Sequence, residues 1–335
     1  MRDIKRRRSS IQSTGQITRA MKLVATVKLQ KAREKAEHTR PYSDGVYQTM
    51  QSILERSAGI SHPYLQGGDN PRKAVIVMTS NRGLAGGYNA NVVKLITQGN
   101  FNLKELDIYA VGKKGKDALQ RAGCKISLDC SDICEEPTYA DAAALGRRVL
   151  TSFAQGEVGE IWLAYTSFIN TVVHEPRLIR LLPVSKEDVD EKVEREGSAG
   201  LKLQMNFEAE EESILEMLIP KYMISMIYGG LLEAAASENG ARMQAMDSAT
   251  GNAEEMLEDL TLLYNRARQG AITQELTEVK KKYATPRRTE IVYDHQSQTE
   301  AAPEDETPDY PVHLFLSREG YLKKITPQSL RMASD

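Results

Sequence analysis

The chain has 335 residues, 41% of them hydrophobic, and a formal net charge of −2. That length allows two domains of ordinary size, and the near-neutral balance excludes bulk attraction to a polyanion. Cys124, Cys130 and Cys134 are clustered, odd in number and without paired metal-ligand spacing, which excludes a disulfide framework and reads as reduced thiols in a cytosolic setting.

Residues 1–57 read as a helix, with Ile4, Ile11, Ile17, Met21 and Val24 keeping to one side. Pro41 is placed to kink it, because its ring removes a backbone hydrogen bond. The charge here is one-sided. Arg2, Lys5, Arg6, Arg7, Arg8, Arg19, Lys22 and Lys28 face almost no acid, so the segment suits either nucleic acid or an acidic protein surface. It lacks the interleaved aromatics that nucleic-acid binding usually shows.

HPYLQGGDNPRK (62–73) is a loop by composition, and strands then alternate with helices. AVIVMTS, LDIYAVG and EIWLAYTSF read as strands, and TVVHEPRLIRLLPV as a strand completing a hairpin-like pair with the last of them. NANVVKLITQ, KGKDALQRAG and ADAAALGRRVLTSFAQG read as helices. This is an α/β arrangement around a mostly parallel sheet. KEDVDEKVEREGSAGLK, with Asp188, Asp190, Glu191, Glu194 and Glu196, reads as a solvated excursion.

From Phe207 to Lys281 the helical pattern returns, with Pro220 as a possible bend. Such a stretch would measure about 110 Å at the helical rise per residue, which exceeds a small domain, so much of it must project. Within it Met246, Ala249, Ala253, Met256, Leu260, Leu263 and Ala267 repeat at alternating gaps of three and four, the period of a coiled coil. The first helix is the one other long helix in the chain. The fold class expected is therefore α/β: an antiparallel coiled coil of the N- and C-terminal helices with an inserted Rossmann-like α/β domain. The run MISMIYGGLLEAAA is too short to span a bilayer and contains Glu233.

Catalytic signals are absent. GLAGGYN (83–89) is a glycine-rich turn before a helix, but its spacing fits neither phosphate-binding fingerprint, and glycines for tight packing are the favoured account. GKKGKD (112–117) is too short for a P-loop, and Asp117 stands where a magnesium ligand would be Ser or Thr. The five histidines are scattered without metal spacing. No cofactor or metal is expected.

MRDIKRRRSSIQSTGQITRAMKLVATVKLQKARE, TSNRGLAGGYNANV and ASENGARMQAMDSATGNAEEMLEDLTLLYNRARQGAITQELTE together resemble, in order, the gamma subunit of F-type ATP synthases over about residues 1–279. The resemblance implies a non-catalytic central-stalk rotor. Its coiled coil would stand inside a ring of alpha and beta subunits, and its base would rest on the membrane c-ring with epsilon alongside. It would lie peripherally on the cytoplasmic side of a bacterial membrane. Met21, Arg242, Gln269 and Thr273 match shaft positions that couple rotor to stator. Arg6, Arg7, Lys22 and Lys28 would face acidic loops of beta. Gly15, Gly240, Gly251 and Gly270 stand in the paired helices, implying local softness or unusually close packing.

The division expected is 1–57 for the first coiled-coil helix, 58–206 for the α/β domain, 207–279 for the second helix and 280–335 for an atypical tail. The tail resembles a different family, the A subunit of bacterial type II topoisomerases. KKYATPRRTEIV looks like the end of the breakage-reunion core, and YPVHLFLSREGYLKKITPQSLR like the entry to the DNA-wrapping region. The active-site tyrosine region is missing, so no nucleic-acid function is expected. VHLFLS and YLKKI should form a hairpin, and the acidic TEAAPEDETPDY should be disordered. A misassembled reading frame and a true fusion both account for the junction.

Overall fold

The computed structural model describes residues 1–56, 62–68, 70–184, 211–286, 289, 311–318 and 320–327. The acidic excursion at 188–196 and the acidic linker at 299–310 lie outside the described residues. Residues Met1–Thr273 form one compact unit and Gln274–Asp335 a second.

Within the first unit, α1 (Arg2–Arg56) continues through Pro41 as helix. After a short α2 (Pro63–Gln66) come β1 (Lys73–Met78), α3 (Tyr88–Thr97), β2 (Leu106–Val111), α4 (Lys113–Arg121), β3 (Lys125–Asp129), α5 (Tyr139–Ala154), β4 (Glu160–Phe168) and β5 (His174–Leu182). The last long helix, α6 (Glu211–Tyr283), runs through Pro220. The sheet order is β3-β2-β1-β4-β5. Its first four strands are parallel, and β5 pairs antiparallel with β4 as the expected hairpin.

Both faces of the sheet are covered. Val75, Val77, Ile108 and Ala164 meet Val92, Ile96 and Leu119 of α3 and α4 on one side. On the other, Ile76, Met78, Val111 and Leu163 meet Val149 and Phe153 of α5 together with both long helices. The contribution of α1 is its end, Met50 and Ile53, and that of α6 its beginning, Leu215, Ile219, Met223 and Ile227. Parallel strands buried on two faces explain why β1 after Lys73 and β2 apart from Asp107 are apolar with no alternation. The apolar start of α6 is mostly buried against this sheet, as a core helix would be.

Local signals set the element ends. Thr138 and Asp141 form a reciprocal capping box that starts α5. Gly112, at φ 102°, lets the β2–α4 turn pass Thr79 so closely that an added Cβ would collide with the Thr79 carbonyl. Thr79 Oγ1 in turn accepts from the Gly115 N–H at 2.9 Å. The glycines of GKKGKD therefore serve packing. Asp107, near the start of the internal strand β2, binds Arg72, Lys125 and Ser127. Burial raises its carboxyl pKa, but those partners outweigh burial and hold it below the ordinary range.

KISLD, outside the expected strands, is β3: an edge strand of alternating exposure whose Lys, Ser and Asp hide the β signal. In the 83–89 turn Leu84 (φ 64°) and Gly86 (φ 54°) are left-handed, but an added Cβ at Gly83 or Gly86 would meet nothing within 4 Å, so these two glycines do not serve the close packing expected of them.

In the second unit, β6 (His313–Leu316) and β7 (Leu322–Ile325) pair antiparallel, with Gly320 at φ 87° in the turn. Leu314, Leu316, Tyr321 and Leu322 are exposed. The expected hairpin is present, with little core of its own.

Candidate functional site: the paired helices and their clamp

The facing positions of α1 are Ile4, Arg8, Ile11, Gly15, Thr18, Lys22, Ala25, Leu29 and Ala32, shielded to differing degrees. They follow one another at strictly alternating gaps of four and three, the coiled-coil period. On α6 the corresponding set is Met246, Thr250, Ala253, Leu257, Leu260, Thr261, Tyr264 and Ala267. The helices are antiparallel, since cross-contacts fall on α6 as they rise on α1. Arg8 lies over the Tyr264 ring at 5.3 Å, and Gly15 faces Ala253. Thr18 and Thr250 share a hydrogen bond of 2.8 Å. Arg19 pairs with Glu254 at 2.5 Å, and Lys22 with Asp247 at 2.6 Å. Leu29 and Ala32 reach Ala235 and Ala236.

This seam differs in phase from the one the apolar periodicity suggested. Met256 and Leu263 point outward at 54% and 49% exposure, and Leu257 and Tyr264 take the inner places. On α1, Ile17 and Val24 are likewise outside, both at 59%. The buried Thr18–Thr250 bond and the Arg8–Tyr264 stack set the rotation of both helices, and polar residues are invisible to an apolar-period search. The result is a thin seam in which small and polar residues are interleaved with Ile4, Ile11, Leu29, Met246, Leu257 and Leu260, while other large apolar side chains are left outside.

At its lower end the pair is clamped to the sheet domain through the 79–89 turn and the segment around Cys134. Arg242 Nη2 lies 2.7 Å from Glu238 Oε1, both side chains being nearly buried. The same nitrogen reaches the Gly83 carbonyl at 3.5 Å. The Cys134 thiol donates to the Thr79 carbonyl and lies 3.7 Å from Glu238 Oε2. Burial, then the Glu238 charge, push that thiol up to about 12, so it is a structural donor and no nucleophile. Tyr88 OH donates to the Ala234 carbonyl, and burial raises its pKa well above the ordinary phenol range. Ser237 Oγ donates to the Thr166 carbonyl. On the α1 side, Glu135 takes Lys28 at 3.6 Å and Arg82 at 3.3 Å. The stretch TSNRGLAGGYNANV is thus a latch on the two long helices.

The sequence-chosen residues separate accordingly. Met21 is half-buried on the flank of the seam, and Lys22 and Lys28 are engaged with Asp247 and Glu135. Arg6 and Arg7 are exposed, with no ion pair among the described residues. Gln269 and Thr273 are exposed on α6. Arg242 faces inward, as the centre of the clamp. Glu238, Cys134, Tyr88 and Glu135 were missed; the one signal in the sequence was the i,i+4 spacing of Glu238 and Arg242. The expectation of unusually close packing at the helix glycines holds at Gly240 alone, where an added Cβ would stand 2.7 Å from His174 Cε1. Gly251 and Gly270 face open space, and Gly15 makes ordinary contact.

The sequence profile of the family described as ATP synthase matches residues 1–281. An ATP synthase gamma chain of Lachnoclostridium phytofermentans is 58% identical over 280 residues, 83% of this chain and 96% of that one. The sodium ion specific gamma chain of Acetobacterium woodii is 39% identical over 290 residues, with the same shares covered. In structure, a chain of the Tetrahymena thermophila mitochondrial ATP synthase central stalk and c-ring superposes with a TM-score of 0.52 at 25% identity, covering 70% of this chain and 99% of that one. A Euglena gracilis mitochondrial ATP synthase chain shares the fold, with a TM-score of 0.57 at 19% identity over 87% of this chain and 99% of its own.

Proposed function

The chain belongs to the ATP synthase gamma-chain family as a non-catalytic central-stalk subunit, and from that premise we propose how its geometry carries rotation. The paired helices turn inside a ring of alpha and beta subunits. The sheet domain rides on the c-ring with epsilon beside it, on the cytoplasmic face of a bacterial membrane. The observation that supports this reading most is the outward apolar set. Ile17, Leu23, Val24 and Val27 on α1 and Met256 and Leu262 on α6 are exposed around a seam that does not need them. Apolar groups exposed together in this way mark a surface that another protein covers.

An antiparallel pair is asymmetric in cross-section, so each rotational position offers the ring a different face. A face that fits one beta conformation better shifts the population of open and closed catalytic sites toward it. Met21, Gln269 and Thr273 lie where such contacts would form, and Arg6 and Arg7 would meet acidic loops of beta. Lys22 and Lys28 would share their charge between those loops and Asp247 or Glu135. Arg242 acts from inside, passing torque between shaft and sheet domain. We assign 1–57 and 207–279 to the shaft and 58–206 to its base.

The test is reconstitution. The chain, mixed with alpha and beta subunits, co-purifies as one complex, and a bead fixed to the sheet domain turns when ATP is added. Failure of the chain to join the ring ends the proposal.

For residues 280–335 we propose a topoisomerase A-subunit origin, supported by the strand–turn–strand of β6 and β7. Lys280, Lys281 and Lys282 extend α6 with exposed cations. Entering an apolar sleeve would strip their water without offering partners. A chain ending at Val279 should therefore assemble with the ring in higher yield than the full chain, and equal yields would refute the cost assigned to the tail.

A further inference from the structure

We propose that the end of the β4–β5 hairpin is an acid-released catch on α6, with His174 as its sensor. The hairpin closes through the facing pair Phe168 and His174, whose ring centroids lie 5.7 Å apart. Phe168 packs against the cluster of Leu29, Ala32, Ala235 and Ala236, so this end of the sheet touches both long helices. His174 lies over Gly240. An added Cβ there would stand 2.7 Å from its Cε1 and 3.1 Å from its Nε2, so the glycine is the notch that admits the ring.

Both imidazole nitrogens are shut off from solvent, and neither makes a hydrogen bond of good geometry. Burial lowers the proton affinity of the ring, the Thr171 backbone opposes it, and no charge contributes. The charged neighbours are engaged elsewhere. On α6, Glu238 and Arg242 bind each other at 2.7 Å, and on β5 Glu175 and Arg177 do so at 3.3 Å. Glu233 of α6 acts on Arg177. On α1, Lys28 and Arg33 bind Glu135 and Glu37. Tyr88 of α3 gives its hydroxyl proton to the Ala234 carbonyl, and Thr166 and Phe168 of β4 are uncharged. A protonated ring seated on Gly240 would be a buried cation with no counter-charge.

A proton therefore enters only when the hairpin end lifts from α6. In the lifted form the imidazole has its ordinary pKa of about 6.5, and in the seated form a lower one. The seated form is fully favoured above the ordinary histidine range and loses ground as pH falls through it. Between about pH 7.5 and about pH 5.5 the ratio of lifted to seated chains should rise about tenfold. The catch stands on this contact, whereas its consequence rests on the rotor reading: acid loosens the sheet domain from the shaft and weakens torque transfer.

Amide hydrogen exchange of the full chain at these two pH values, corrected for the intrinsic exchange rate, reads the catch directly. Residues 166–176 and the stretch around Gly240 should lose about tenfold in protection at the lower pH, relative to β2 as internal reference. His174→Phe and His174→Leu should each abolish that loss, and either variant suffices if the other folds poorly. Protection of 166–176 that is unchanged by pH, that falls equally in a folded variant, or that falls no further than that of β2 overturns the catch. A bead assay on the assembled enzyme separates the consequence. If the loss of protection is found but stall torque is the same at both pH values, the catch stands and its part in the rotor falls.

Discussion

The sheet domain and the paired helices solve opposite problems with the same chemistry. In β2 every residue is buried, and the sheet is covered on both faces by helices of the same chain. The upper shaft buries one thin seam and leaves Val24, Met256 and Leu262 in water. A structure that must stand alone encloses its apolar groups. One that must turn inside other subunits keeps only enough internal contact to hold two helices in register, and spends its larger side chains on its surroundings. The difference should appear in how substitutions divide between folding and assembly.

The largest effect is expected in the base. Leu163, fully buried on β4, packs among both long helices and α5. Leu163→Ala should cost about 3 kcal/mol of unfolding free energy in a urea titration, from lost transfer energy and the cavity left behind. A loss of comparable size from an outward shaft residue would break the comparison.

The clamp comes next, since it joins the two regimes. Arg242→Ala leaves the nearly buried Glu238 carboxylate without its 2.7 Å partner and the Gly83 carbonyl without a donor. The expected loss is about 2 kcal/mol, the scale of a charge-assisted hydrogen bond. In the assembled enzyme the variant should hydrolyse ATP while transmitting less torque to the base, read as a lower stall load on a rotating bead. Unchanged stall load would show that torque passes elsewhere.

How far this division could be read beforehand depends on the residue types involved. The parallel sheet announced itself through AVIVM and LDIYAV, because strands buried on two faces become largely apolar runs, broken in the second only by Asp107. The pairing of the chain ends followed from helix length and the coiled-coil period. The phase of the seam did not, because Thr18, Thr250 and Arg8 set it, and these are not apolar signals. Nor did the clamp, whose Tyr88, Cys134, Glu135 and Glu238 come from three segments brought together only by folding. β3 escaped because an edge strand bearing Lys125, Ser127 and Asp129 carries half the apolar pattern of a central one.

A smaller effect, of opposite sign, tests whether the shaft is stiffened to its limit. Gly251 lies inside α6 with nothing within 4 Å of an added Cβ. Gly251→Ala should raise stability by about 1 kcal/mol through the helix propensity gained and the unfolded-state entropy lost. Thermal unfolding measures this directly. An unchanged melting temperature would mean that the glycine does not soften the helix, and the shaft's compliance would have to reside in another segment.

The smallest effect on folding is the most telling for function. Val24 points away from the seam at 59% exposure, so Val24→Ser removes no buried contact from the isolated chain. Its unfolding free energy should change by no more than about 0.5 kcal/mol. Co-purification with alpha and beta subunits should nevertheless fall, because the same methyl groups would be buried in the ring. The two readouts separate the alternatives cleanly. If stability falls and assembly does not, Val24 belongs to the chain's own core and the outward apolar set is no docking surface. If assembly falls while the fold is untouched, the side chains that the seam leaves out are the ones the ring takes in.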